Sequence, residues 1–315
     1  MAIITSDPKV YTIRDYKSPV HNTWCAGCGD FGILNAIQLG LAELQLPPHQ
    51  VAVFSGIGCS GKAPHYINAF GIHTLHGRVL PTATGGKLAN PEMTVIAVGG
   101  DGDGYGIGAG YFVNAGRRNV DLTYLVFDNE VYGLTKGQAA PTMQKGLRAK
   151  GMPEPAIQDS INPLALAIAS GYTFVARGYA LQPKGLATLI AEAVSHRGTA
   201  FIDILQTCPY YNDLHTKEWY SEVFDHEPRL YQLDDTDYDG VVRDPTNLDE
   251  IVAKKVQAMT KSYEWGERIP LGVLYKVDMA TYEDQLATGR PTTNGATGEP
   301  NLWNRDLSSL LNALR

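Results

Sequence analysis

Apolar runs of strand length alternate with longer amphipathic stretches from residue 51 to residue 205, which limits the chain to repeated βα units on a mainly parallel sheet with helices on both faces. Val51 to Ser55 reads as a strand entering Gly56-Ile57-Gly58-Cys59-Ser60-Gly61, and Thr94 to Val98 as another that runs into Gly99-Gly100-Asp101-Gly102-Asp103-Gly104. Leu122 to Phe127, Thr173 to Ala176 and Ala200 to Leu205 continue the series, the last delivering Cys208. Helical spacing covers Gly32 to Leu46, which stops at Pro47-Pro48, and then Ile107 to Arg117, Asn162 to Ala169 and Lys184 to His196. Each loop of unusual chemistry follows a strand, and open α/β sheets take their ligands at the carboxyl ends of strands.

A chain of 315 residues, 44% of them hydrophobic, supplies one large core with an appendage. We expect an α/β domain over residues 1–225 and a C-terminal extension over 226–315. In the extension an acidic, Asp- and Tyr-rich connection precedes a helix from Leu248 to Met259 and a Gly-, Thr- and Pro-rich stretch around Gly289 to Pro300. Arg305 to Arg315 spaces four leucines along one side of a short helix, suited to docking on its own domain or to a contact between subunits. A net charge of −7 and a pI near 5.6 argue against nucleic acid as a partner. No apolar run approaches membrane-spanning length, and Met1 to Tyr16 carries charges where a cleaved leader is apolar. The expectation is a soluble, cytoplasmic protein with no membrane partner.

The only four cysteines sit as Cys25-Ala26-Gly27-Cys28, Cys59 and Cys208. One close pair and two distant singles form a complete ligand set for a single site, and a [4Fe–4S] cluster is the leading reading. Structural zinc competes, although its ligands usually come from two knuckles within a few tens of residues, and buried free thiols account for Cys59 and Cys208 taken separately. A thioredoxin-like dithiol opens a helix after a strand, a context Cys25 lacks.

The second chemical signal is Gly100-Asp101-Gly102 after one strand and Asn129 at the end of the next. A carboxylate and an amide on neighbouring strand ends, with the backbone carbonyl of Val131, can share a magnesium ion whose octahedron a diphosphate and water complete. The glycines admit phosphates close to backbone N–H groups, and a helix beginning near Ile107 would present its positive end. Taken alone, Gly-Asp-Gly is a tight turn.

Here the chain resembles a known family. Gly100-Asp101-Gly102 with Asp128-Asn129 looks like the thiamine diphosphate signature, and Trp24-Cys25-Ala26-Gly27-Cys28-Gly29 with Gly56-Ile57-Gly58-Cys59-Ser60-Gly61 is similar to the β subunit of 2-oxoacid:ferredoxin oxidoreductases. Further matches are His73-Thr74-Leu75-His76-Gly77-Arg78, Ala83 to Pro91, and Thr207-Cys208-Pro209, so the likeness covers roughly residues 20 to 225. By resemblance, Cys25, Cys28, Cys59 and Cys208 hold the [4Fe–4S] cluster, and Asp101, Asn129 and Val131 hold Mg2+ on thiamine diphosphate. Ile57, Gly58, Cys59 and Ser60 would lie beside the cofactor, with Gly102, Asp103, Gly133 and Leu134 completing its binding.

The resemblance also implies CoA-dependent oxidative decarboxylation of a 2-oxo acid, with one cluster passing electrons to ferredoxin. An α subunit, in an αβ or (αβ)2 assembly, would supply the activating glutamate and much of the substrate and coenzyme A surface. Lys62 is the first candidate for the substrate carboxylate, and Lys136 the second or a contact for a coenzyme A phosphate. Either lysine reads equally as a solvated charge, and His65, His73 and His76 as satisfied, partly buried histidines. A non-oxidative thiamine diphosphate-dependent decarboxylase or synthase with structural zinc is the competing function. The acid itself, pyruvate, 2-oxoglutarate or a longer one, is not legible.

Overall fold

The computed structural model describes residues 9–289. Its centre is one sheet of eight strands: β1 (Val51–Ser55), β2 (Phe70–His73), β3 (Thr94–Gly100), β4 (Leu122–Asp128), β5 (Phe174–Tyr179), β6 (Thr199–Leu205), β7 (Leu230–Gln232) and β8 (Ile269–Lys276). The strand order is β7-β8-β5-β6-β4-β3-β1-β2, and every pair is parallel except β8 against β5. Strands β1, β4, β5 and β6 are buried at every position, which explains why their sequences are mainly apolar without alternating: a strand covered on both faces has no solvent side to alternate towards, and the buried charges of Arg177 on β5 and Asp203 on β6 face each other at 3.5 Å.

Helices cover both faces. On one side α1 (Asp30–Glu43) and α5 (Pro183–Ser195) bury Ile33, Ile37, Leu41, Leu186 and Ile190. On the other α2 (Val79–Ala89), α3 (Ala109–Arg118), α4 (Pro163–Ser170) and α6 (Leu248–Ser262) contribute Leu80, Phe112, Leu164 and Ala258. Phe112 meets Phe201 edge to face at 5.1 Å between centroids, pinning α3 to β6, and burying a ring of that size contributes about 2–3 kcal/mol. Local signals set the helix ends. Asn162 caps α4 by accepting from the Ala165 amide at 3.0 Å, Pro163 occupies its first turn, and Gly171 ends it in the left-handed region.

Most expected elements are present with ends moved by one to three residues. Three findings differ. The chain enters a wide helical turn at Gly102–Ile107, closed by Gly108 N to Asp103 O at 3.0 Å, so helical backbone begins directly after Asp101 and not near Ile107. The exposed edge strand β2 and helix α2 were not anticipated. The sheet also runs past residue 225, because β7 and β8 from the extension join it. The segment Arg305 to Arg315 lies outside the described residues. Among the described residues no helix is long and apolar enough to cross a membrane.

Candidate functional site

Strands β6, β4, β3 and β1 are neighbours and parallel, so the loops that follow them meet at one edge of the sheet. Their residues line a single cleft: Ile57, Gly58, Cys59 and Ser60 after β1, Asp101, Gly102 and Asp103 after β3, and Asn129, Val131, Gly133 and Leu134 after β4. Lys62 and Lys136 do not line it.

Asp101 is buried, and its Oδ2 stands 2.7 Å from Thr142 Oγ1, which is also 2.9 Å from Asp128 Oδ1. One hydroxyl has one proton to donate, so the second bond requires a proton on a carboxyl group. Burial drives this: it pushes Asp101 up to about 7 and Asp128 well above the usual carboxylate range. A divalent cation beside Asp101 would replace that proton, which fits a hard metal site of oxygen donors. Asn129 Oδ1 accepts from the Val131 amide at 3.1 Å, fixing the turn that follows β4. The carbonyls on either side of Val131 are taken, that of Glu130 by Ala140 N and that of Tyr132 by Gly137 N. Val131–Tyr132 pairs with Gln138–Ala139 in a short antiparallel hairpin, and alternation along it turns the Val131 carbonyl away from that pairing.

Backbone presented to the cleft depends on two glycines. Gly58 has φ of 125° and open space where a side chain would stand, and a β-carbon at Gly102 would run into the Tyr132 ring. Asp103 braces the wall, its Oδ1 accepting from Ile57 N at 3.1 Å and Gly77 N at 2.7 Å, with His76 Nδ1 also 2.7 Å away. Leu134, 49% exposed, gives the cleft mouth an apolar side.

The thiols flank the same cleft. Cys25 is exposed while Cys28, Cys59 and Cys208 are half-buried. Gly133 lies between two of them: a β-carbon there would stand 3.6 Å from both Cys59 Sγ and Cys208 Sγ, so the sulfurs are within about twice that distance of each other. The Cys25–Cys28 loop is tied in by Trp24 Nε1 to Cys59 O at 2.7 Å and by Gly29 N to Thr207 O at 3.1 Å. Burial, and then the Asp30 charge, push Cys28 far above the usual thiol range and Cys59 to about 12, and burial raises Cys208. A bound cation reverses that balance. Among the described residues no three His, Cys, Asp or Glu side chains converge closely enough to hold a single metal ion. Lys62 belongs to this side, where its charge acts on Asp30 and Cys59. Lys136 is exposed at φ of 80°.

Thr142, Tyr132 and the Glu130–His215 pair were missed by sequence reasoning. No local signal marks them, since each acts through a partner tens of residues away.

Two family models match the chain: "Thiamine pyrophosphate enzyme, C-terminal TPP binding domain" over residues 49–204 and, over residues 208–290, the C-terminal part of the pyruvate ferredoxin oxidoreductase beta subunit. The 2-oxoacid:ferredoxin oxidoreductase subunit beta of Saccharolobus solfataricus is 54% identical over 275 residues, 86% of this chain and 87% of that protein. A counterpart from Aeropyrum pernix, 2-oxoacid:ferredoxin oxidoreductase 1, subunit beta, is 52% identical over 282 residues, 89% of this chain and 86% of that one. The chain belongs to the 2-oxoacid:ferredoxin oxidoreductase β-subunit family. A solved member, the 2-oxoglutarate:ferredoxin oxidoreductase from Magnetococcus marinus with 2-oxoglutarate, coenzyme A and succinyl-CoA bound, shares the fold at a TM-score of 0.83 and 35% identity, covering 98% of each chain. Members of this family are subunits of enzymes that act with an α subunit.

Proposed function

We propose that this β subunit binds thiamine diphosphate, Mg2+ and one [4Fe–4S] cluster and, together with its α subunit, converts a 2-oxo acid and coenzyme A to acyl-CoA and carbon dioxide, releasing two electrons and a proton. The single observation that carries the reading is the position of Cys59. It lines the cleft with Asp101 and Asn129, and its sulfur shares Gly133 with Cys208. When bound, thiamine diphosphate supplies the carbanion that attacks the 2-oxo carbon and lets carbon dioxide leave, and the cluster accepts electrons singly.

The chain's own residues hold and orient. The Asp101 and Asn129 side chains and the Val131 carbonyl would hold magnesium on the diphosphate, a role supported by their lining the same cleft. Amides of the helical turn opening at Gly102 would bind the phosphates, and the open space at Gly58 would let backbone approach the ring. Leu134 shields the reacting end from water. Electrons would leave past exposed Cys25 to ferredoxin. Lys62 and Lys136 are the proposed contacts for a substrate carboxylate or a coenzyme A phosphate. The Magnetococcus relative, solved with coenzyme A and succinyl-CoA, supports the co-substrate.

The test is iron, acid-labile sulfide, zinc and thiamine content of the complex purified anaerobically with its α subunit. About four irons and four sulfides per β chain are expected, with thiamine diphosphate retained and then lost in Asp101→Ala. Stoichiometric zinc without sulfide would overturn the redox reading.

A further inference from the structure

Glu130 lies between two of the magnesium candidates, Asn129 and Val131, and is a buried acid held at φ of 64°. That left-handed conformation is strained for a side chain of this size and persists only where neighbours enforce it. The enforcing groups come from the segment after Cys208. His215 Nδ1 makes a short hydrogen bond to Glu130 Oε2, and Asn212 Nδ2 reaches the same oxygen at 3.5 Å. Asn212 also donates to the Asn129 carbonyl at 2.9 Å, while its own amide donates to the Cys208 carbonyl at 3.0 Å. Its Oδ1 accepts from the amides of Leu214 and His215. The His215 ring is itself fixed, 4.2 Å from Trp219 and 5.8 Å from Trp265 between centroids.

One residue, Asn212, thus hydrogen-bonds both the loop that carries Cys208 and the loop that carries Asn129. We propose that Glu130, Asn212 and His215 are positioning residues that form a latch between the two loops, so that filling the cysteine site tightens thiamine diphosphate–magnesium binding. The proposal rests on the reading that these loops hold a cluster and that cofactor. Linkage makes the coupling reciprocal: the cofactor tightens the cluster by the same factor. A merely structural role would weaken binding equally with and without the cluster, leaving the ratio of affinities unmoved.

The experiment measures the thiamine diphosphate dissociation constant at saturating magnesium in the assembled enzyme, with its cluster intact and after iron is stripped by a chelator. In the wild type the ratio is expected to be about 5-fold or more. His215→Phe keeps a ring in the Trp219 and Trp265 cage but removes the donor, and should bring the ratio close to one. His215→Asn, which can donate from the δ position, should restore it. Asn212→Asp, which removes the donor to the Asn129 carbonyl, gives the same test should His215→Phe not fold. A wild-type ratio near one, or a ratio that survives in His215→Phe or Asn212→Asp, overturns the latch while leaving the functional reading intact. A wild type holding neither iron nor thiamine diphosphate overturns both.

Discussion

Thr142→Val removes a hydroxyl that serves two buried carboxyl groups and puts a methyl in its place. The hydroxyl sits 2.7 Å from Asp101 and 2.9 Å from Asp128, so both oxygens lose a bond at once and little cavity is created. A hydrogen bond to a charged partner is worth about 1.5–3 kcal/mol and one to a neutral partner about 0.5–1.5. With one of the two carboxyl groups protonated, the sum is about 2–4.5 kcal/mol of lost stability in the metal-free chain. Urea unfolding above pH 7, where Asp101 has given up its proton, followed by tryptophan fluorescence, should show that loss as a lower midpoint with an unchanged slope. Thr142→Ser, which keeps the hydroxyl, should recover most of it. A Thr142→Val midpoint within about 0.5 kcal/mol of wild type would show that the hydroxyl does not hold the carboxyl pair together.

Gly102→Ala should weaken thiamine diphosphate binding by about 10-fold or more, because its methyl enters the space of the Tyr132 ring at the phosphate-facing turn; fluorescence titration reads this directly. Asp101, raised by burial from 3.8 to about 7, stabilises the metal-free fold fully below pH 3.8 and loses that contribution as pH rises through 7. Magnesium requires the carboxylate, so affinity for magnesium–thiamine diphosphate should rise through pH 7 with release of a proton; calorimetry in buffers of different ionisation heat would contradict this by finding none. His196 runs the opposite way, since burial lowers it from 6.5 to about 4, so its stabilisation is present above pH 6.5 and lost as pH falls through 4. His196→Gln should flatten that acid limb in urea unfolding measured between pH 4 and 7.

Legibility followed the range of the interactions. Strands β1, β3, β4 and β6 announce themselves because a doubly covered strand is mainly apolar without alternation, and Asn162 and Gly171 mark the ends of α4 within a few residues of sequence. Strand β2 gave no such signal, being four residues long and exposed at each one, and α2 hides behind Pro81, Gly85 and Gly86, which a pattern reader takes as breakers. Strand β8 sits beyond an acidic connection that looked like an appendage. In the site, Asp101 and Asn129 were legible because each follows its strand directly, and Cys59 because it stands in the Gly-rich loop that follows β1. Thr142 and His215 were not, since their partners are 41 and 85 residues away in sequence.

The antiparallel strand β8 has a consequence for how this protein must be made. Its neighbour β5 leaves the ribosome about ninety residues earlier, and until β8 arrives that strand carries an open row of amides and carbonyls along an apolar ribbon. At a synthesis rate of about 5–20 residues per second the gap lasts several seconds, long enough for nascent chains to find one another. A gene cut at residue 225, where composition suggests a boundary, would make that exposure permanent and yield aggregate in place of a smaller domain.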